Sequence, residues 1–157
     1  MKIKLVAIGT RMPAWVSTGF DEYAQRMPPI CQLILHEIPA IKRGKNADIP
    51  RILRDEAEAI SNAISPGSRV VALDRKGKHI DTVQLASNLQ TWIDDSQDVA
   101  IVIGGPEGLC PQFMRSADAL WSLSHLTFAH PVVRVMLAEQ LYRAWSINAN
   151  LPYHRGD

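Results

Sequence analysis

The chain has 157 residues, 46% of them apolar and 21% charged, with a formal net charge of +1. That length fits one domain over residues 1–157 with a core of its own, and the composition is that of an ordinary globular protein. The near-neutral balance argues against broad, nonspecific binding to polyanions but leaves room for a local basic patch, and no apolar run approaches the ~20 residues of a membrane span.

IKLVAIG (residues 3–9) reads as a first strand. Charge beside a short apolar run resembles a signal peptide, but the run breaks at Gly9-Thr10-Arg11 and no small-residue cleavage site follows, so a cytoplasmic protein is expected. Pro13 opens a helix with Val16, Phe20, Tyr23 and Met27 on one stripe. LILHEI (33–38) is the next strand; HEIPA within it lacks the second histidine of a metalloprotease helix. Asp48 can cap a helix carrying Ile52, Leu53, Ala57, Ile60 and Ile64. RVVALD (69–74) and VAIVIG (99–104) do not alternate, as befits strands buried on both faces. Between them Leu85, Leu89, Trp92 and Ile93 mark a helix starting at Asp81 or Thr82. A short helix begins at Pro111, ALWSL (119–123) suits a fifth strand, and the last helix runs from about Pro131 to Asn148. The alternation predicts an α/β fold, a mostly parallel sheet with helices on both faces.

The last helix carries two apolar stripes, one of Val133, Met136, Leu137, Leu141, Ala144 and Trp145, the other of Val132, Val135 and Tyr142. A helix packed on one side of a sheet needs a narrower stripe. Deep burial or a partner helix from a second copy would each explain it; a homodimer is the expectation. Cys31 and Cys110 stand alone, without a CxxC pair or a companion histidine, and read as reduced thiols rather than a disulfide or a zinc site.

Familiar sites are missing. GxxxxGK[ST], GxSxG and GxGxxG are all absent, and the first strand ends in a single glycine, Gly9. The glycines come late instead, in IVIGGPEGLCP (101–111): Gly104, Gly105 and Gly108. Ligands in open α/β sheets bind beyond the carboxyl ends of strands, the edge that Leu73-Asp74 would share. Bare backbone there suits an adenine ring; a tight strand-to-helix turn explains the same residues.

IGGPEGL together with LWSLSHLTFAHPVVRVMLAEQLYRAWSINANLPYHR closely resembles the SPOUT-class ribosomal RNA large-subunit methyltransferase H family. LVAIGTRMPAWVSTGFDEYAQR and IPAIKRGKNADIPRIL extend the resemblance over essentially the whole chain. It implies an α/β SPOUT fold with a C-terminal trefoil knot, which periodicity does not reveal. It also implies an S-adenosyl-L-methionine-dependent methyltransferase acting on N3 of a pseudouridine in 23S rRNA, pseudouridine 1915 in the family. Cofactor contacts carry over to Leu73, Gly105, Ser124, His125, Leu126, Thr127, Phe128 and Ala129. The family commonly has proline where Ala129 stands.

KRGKNAD (42–48) is a solvated loop or, with Lys42, Arg43 and Lys45 (Arg51 and Arg54 just beyond), a phosphate contact for RNA in an assembled ribosome. LPYHRGD would ordinarily fray, yet Tyr153, His154 and Arg155 supply a stacking ring, an imidazole and a phosphate fork. In the resembling proteins this tail reaches an active site, that of the other subunit. Glu139 and Arg143, one helical turn apart, fit an intrahelical ion pair and equally the border of a nucleotide pocket. His130 suits a structural turn; His36 and His79 suit strand and surface. A sulfonium methyl is already activated, so no metal is expected and the work is positioning. His154 is the economical acceptor of the N3 proton, Arg155 and Arg143 would anchor phosphate or a base carbonyl, and Tyr153 would stack. Rival readings are a related SPOUT enzyme acting on another nucleotide and a non-catalytic ribosome-binding protein.

Overall fold

A computed structural model describes residues 1–154. Five strands form one parallel sheet in the order β2-β1-β4-β3-β5: β1 (Lys2–Ile8), β2 (Gln32–Ile38), β3 (Arg69–His79), β4 (Val99–Ile103) and β5 (Ala119–Ser122). Each crossover carries a helix: α1 (Ala14–Ala24), α2 (Ile49–Ala63), α3 (Thr82–Asp94) and α4 (Pro111–Ser116), with α5 (His130–Asn148) closing the chain before a short 3₁₀ turn (Pro152–His154). The helices divide between the two faces. Phe20, Leu85, Leu89, Trp92, Leu137 and Leu141 from α1, α3 and α5 pack on Ile3, Leu5, Val71, Val99 and Ile101. Ile60 and Phe113 from α2 and α4 cover Val6, Ile8, Ala72, Ala100 and Val102 on the other face. Every residue of β4 is buried, which is why the strand reads as an unbroken apolar run.

Local signals explain the helix starts. The Asp48 carboxylate accepts from the Arg51 amide at 3.2 Å. Asp81, not Thr82, caps α3: its carboxylate accepts from Gln84 N at 2.7 Å, and the Gln84 side chain returns a bond to Asp81 N at 2.9 Å. Met27 and Ile64 lie just beyond their helices, although Met27 is buried in the core. The cysteines are buried free thiols in separate clusters, Cys31 on one face and Cys110 on the other. Burial pushes the Cys31 thiol up to about 11.

The largest departure from the sequence expectation is β3, which runs past Asp74 to His79. It pairs with β4 only as far as Ala72, then continues against β5 alone. Leu73 and Lys78 both face Trp121, so residues 74–77 bulge out of the ladder. An edge exposed on one side can carry RKGKH, a charged run that no buried-strand pattern would signal.

Candidate active site

The carboxyl ends of β1, β2, β3 and β4 meet at one edge, and there the chain turns on glycine. Gly108 has φ +81° and donates its amide to Gly105 O at 3.0 Å. A Cβ on Gly104 would lie 2.6 Å from the carbonyl carbon and oxygen of Gly108, and one on Gly105 would sit 3.1 Å from Ile8 Cγ2 and 3.2 Å from an Arg43 guanidinium nitrogen. The bend therefore folds first around its own backbone, and Gly104 is required by that closure.

Two arginines tie this bend to the domain. Arg134 on α5 is fully buried: it pairs with Glu37 Oε2 at 2.5 Å and donates to Gly9 O at 2.8 Å and to His130 Nε2 at 2.9 Å. Because His130 Nε2 accepts, its ring proton sits on Nδ1, which donates to Gly104 O at 3.0 Å. Burial, then the Arg134 charge, holds His130 below the ordinary imidazole range, so it stays neutral. The ends of β1, β2 and β4 are thus joined to the first turn of α5. Sequence reasoning missed Arg134; its one visible signal is a lone cation inside the apolar run VVRVML.

Arg43 makes the second tie. Its guanidinium lies 2.6 and 2.9 Å from the oxygens of buried Glu56, and its Nε donates to Glu107 Oε2 within the glycine bend at 3.0 Å. The bond to Glu56 is the chief cause of its raised pKa. Of the three basic residues expected to meet RNA, Arg43 is committed to holding the loop against the bend. Lys42 and Lys45 are exposed and make no ion pair among the described residues.

The segment from Ser124 to Ala129 arches over the same edge. Ser122 Oγ donates to Ser124 O at 3.1 Å, and Ser124 Oγ accepts from Leu126 N at 3.0 Å. Leu126 is 72% exposed, and the His125 ring lies 3.9 Å from that of His79. Ala129 is the N-cap of α5 with φ −62°, and its carbonyl accepts from Val132 and Val133 at 3.1 and 3.3 Å. That φ is the one a proline ring would fix, so Ala129 keeps the conformation and the capping carbonyl that proline would give.

A cavity of about 660 Å³ lies beside this segment. Trp121, Leu123 and Phe128 supply apolar wall, Trp15 and Tyr23 of α1 and Val132 and Met136 of α5 enclose it, and Ser124, Thr82, Glu139 and Gln140 add polar groups. Of the eight expected cofactor contacts only Ser124 and Phe128 line it; Leu73 and Gly105 lie outside its wall. An adenosine needs a flat apolar wall and accessible main chain; Phe128 with Trp121 and Leu123 offers the first, and half-buried Gly105 with exposed residues 125–127 the second, so these residues fit the cofactor. Among the described residues, no three His, Cys, Asp or Glu side chains gather as metal ligands would.

Glu139 links the cavity to the tail. Its Oε1 lies 2.7 Å from Arg143 Nη2 and 3.1 Å from the Tyr153 hydroxyl, which is also 3.4 Å from the Tyr23 hydroxyl. Both readings of Glu139 and Arg143 therefore hold in part: they form the intrahelical pair, and Glu139 borders a pocket. The Arg143 guanidinium stacks over the Tyr153 ring at 5.0 Å, while Tyr142 meets that ring edge-on at 4.8 Å. Burial, reinforced by Tyr23 and Glu139, pushes the Tyr153 phenol up, so it stays a neutral donor. His154 Nδ1 is 3.1 Å from Ser146 Oγ. The Ser146 hydroxyl gives its one proton to Arg143 O at 2.7 Å, so toward His154 it accepts and Nδ1 carries a ring proton. Arg155 lies outside the described residues.

A sequence model of the family described as "Predicted SPOUT methyltransferase" matches residues 1–154. The fold is similar to that of a methylase family protein from Haemophilus influenzae Rd KW20, at 15% identity and a TM-score of 0.60, covering 94% of this chain and 68% of that one. It is also similar to a methylase family protein from Neisseria gonorrhoeae, at 11% identity and a TM-score of 0.52, covering 90% of this chain and 81% of that one. Among the described residues, no helix is long and apolar enough to cross a membrane.

Proposed function

The chain belongs to the SPOUT methyltransferase family, and from that premise we propose that it methylates N3 of a pseudouridine in 23S rRNA of the large ribosomal subunit, using S-adenosyl-L-methionine. When bound, that cofactor supplies an electrophilic methyl on a positively charged sulfur. The observation that carries the reading is the position of Glu139, which shares a cavity wall with Ser124 and Phe128 and bonds Tyr153 of the tail. That proximity supports assigning the 124–129 segment to the donor and Tyr153 to the base.

Each group then has a defined task. The Gly105 backbone and the 124–129 segment hold the adenosine. The Tyr153 ring offers a stacking face to a splayed base, and Arg143, kept cationic by Glu139, balances charge on the base or its phosphate. The methylated nitrogen must lose a proton, and His154, held through Nδ1 by Ser146, is the residue assigned to take it. Arg155 is assigned a phosphate or base carbonyl by its residue type alone. The reading includes the family's trefoil knot, supported by the proximity of the bend to the start of α5 through the His130–Gly104 bond. It also includes a homodimer in the cytoplasm. Trp15 at 52% exposure and Val132 at 37% stand beside the cavity, where a second copy would cover them.

Incubation with methyl-labelled donor and either naked 23S rRNA or assembled ribosomes, followed by mass-spectrometric mapping, tests the assignment. Label on N3 of a pseudouridine is expected. Label on another nucleotide would move the protein to a related activity, and failure to bind the donor at all would leave a ribosome-binding protein without chemistry.

A further inference from the structure

We infer that the β3 bulge, with Arg75, Lys76 and Lys78 at its surface, is a second phosphate-binding face for RNA on the side of the donor segment opposite the Lys42–Lys45 loop. The inference rests on the RNA reading above and adds to it a surface that the tail and the 42–48 loop do not supply.

The bulge is built rather than loose. A Cβ on Gly77 would fall 2.6 Å from the Trp121 carbonyl carbon and 2.7 Å from the Leu120 carbonyl, so the base of the bulge lies flat against β5. Asp74 Oδ2 accepts from the Lys76 amide at 2.9 Å, which turns the chain outward. The side chains so presented are cationic and exposed, and none of Arg75, Lys76 and Lys78 makes an ion pair among the described residues. The two nearest acids in sequence have other work: Asp74 holds the Lys76 backbone, and Asp81 caps α3. Three exposed cations therefore stand unpaired against two carboxylates that face backbone amides, a locally positive stretch on a chain whose net charge is only +1. A concentration of charge of this kind is a local field, not a property of the whole surface.

Its place decides the partner. β3 reaches the bulge from Leu73, an expected donor contact, and leaves it at His79, whose ring lies 3.9 Å from that of His125 in the donor segment. On the other side of the glycine bend, Arg43 anchors the loop that carries Lys42 and Lys45 through Glu107. Cations thus flank the donor site on both sides, with no aromatic ring or apolar wall among the three bulge residues to read a base. That composition suits the repeating charge of a nucleic-acid backbone and contributes affinity without sequence discrimination.

The test compares wild type, the triple variant Arg75→Ala/Lys76→Ala/Lys78→Ala and the double variant Lys42→Ala/Lys45→Ala. Binding to naked 23S rRNA and to assembled ribosomes is measured from ~50 to ~200 mM salt. The triple variant is expected to bind both about tenfold more weakly, with the slope of log K against log salt shallower by about 2 to 3. S-adenosylmethionine affinity and thermal melting should be unchanged, and the charge-keeping variant Lys76→Arg/Lys78→Arg should retain the wild-type slope and affinity. Should wild type bind neither RNA nor ribosomes, the RNA reading itself falls. Wild-type binding with an unaltered slope in the triple variant overturns only this inference, as does a defect confined to ribosomes, which would point to a ribosomal protein. If the triple variant melts early, acetylation of wild-type Lys76 and Lys78 decides: RNA must protect both, and full reactivity in the complex overturns the assignment.

Discussion

The glycine-bend edge and the tail cluster are built on different physics. At the bend, Gly104 closes on the Gly108 backbone, and buried Arg134 and partly buried Arg43 lock three strand ends and two loops around it. At the tail, Tyr153 and His154 are half-buried side chains after the last helix, held by one carboxylate, one serine and two tyrosine rings. The first region is closed by backbone and buried ion pairs, while the second is held by side-chain contacts alone. The division suits a methyl transfer, in which the donor must be held rigidly and a large RNA must be accommodated.

The comparison breaks most visibly at Gly104. Gly104→Ala drives a Cβ into backbone that has no rotamer to give, so melting should report a loss of about 3 kcal/mol or more, and calorimetry should show S-adenosylmethionine binding weakened at least about tenfold. Arg134→Met comes next. It leaves Gly9 O and His130 without their partner and Glu37 without its charge, but the Glu37 side chain is 36% exposed and rehydrates. A loss of about 2–3 kcal/mol by denaturant unfolding is expected, below the range for a wholly buried pair.

The tail should behave in the opposite way. Glu139→Gln weakens the hold on Arg143 and Tyr153 but keeps a hydrogen-bonding side chain in a partly buried setting, so stability should change by about 1 kcal/mol or less. Single-turnover rates should still fall about tenfold, equivalent to about 1.4 kcal/mol, with donor affinity within about twofold of wild type. The smallest effect concerns His130. Its folded pKa is depressed, so between that value and the ~6.5 of an unfolded imidazole the unfolded chain binds the extra proton. The stabilisation is complete above ~6.5, declines as pH falls below it, and levels off below the folded value. His130→Asn keeps a donor for Gly104 O but does not titrate, so its unfolding free energy should be flatter than that of wild type across that window.

The sheet is legible in the sequence because its strands announce themselves chemically. VAIVI is apolar throughout because it is central, and Asp81 with Gln84 writes a helix start in four residues. The end of β3 is illegible for the converse reason. Past Ala72 only one neighbour remains, and an edge segment is free to be RKGKH. At the site, the glycine bend and the 124–129 segment were visible as motifs. Arg134 was not, since a buried cation is stabilised by Glu37 and Gly9, 97 and 125 residues away in the chain. Arg43 looked like its neighbours Lys42 and Lys45, and only the fold brings Glu56 and Glu107 to it. Residue type proposes a role there, but long-range partners decide it.

The most direct test of the central claim is a crystal structure with S-adenosylmethionine bound. The account predicts the adenosine against the Gly105 backbone and the 124–129 segment, with the methyl directed toward the Glu139 side. A cofactor seated wholly in the apolar cavity between α1 and α5, with Gly105 and the 124–129 backbone untouched, would contradict it.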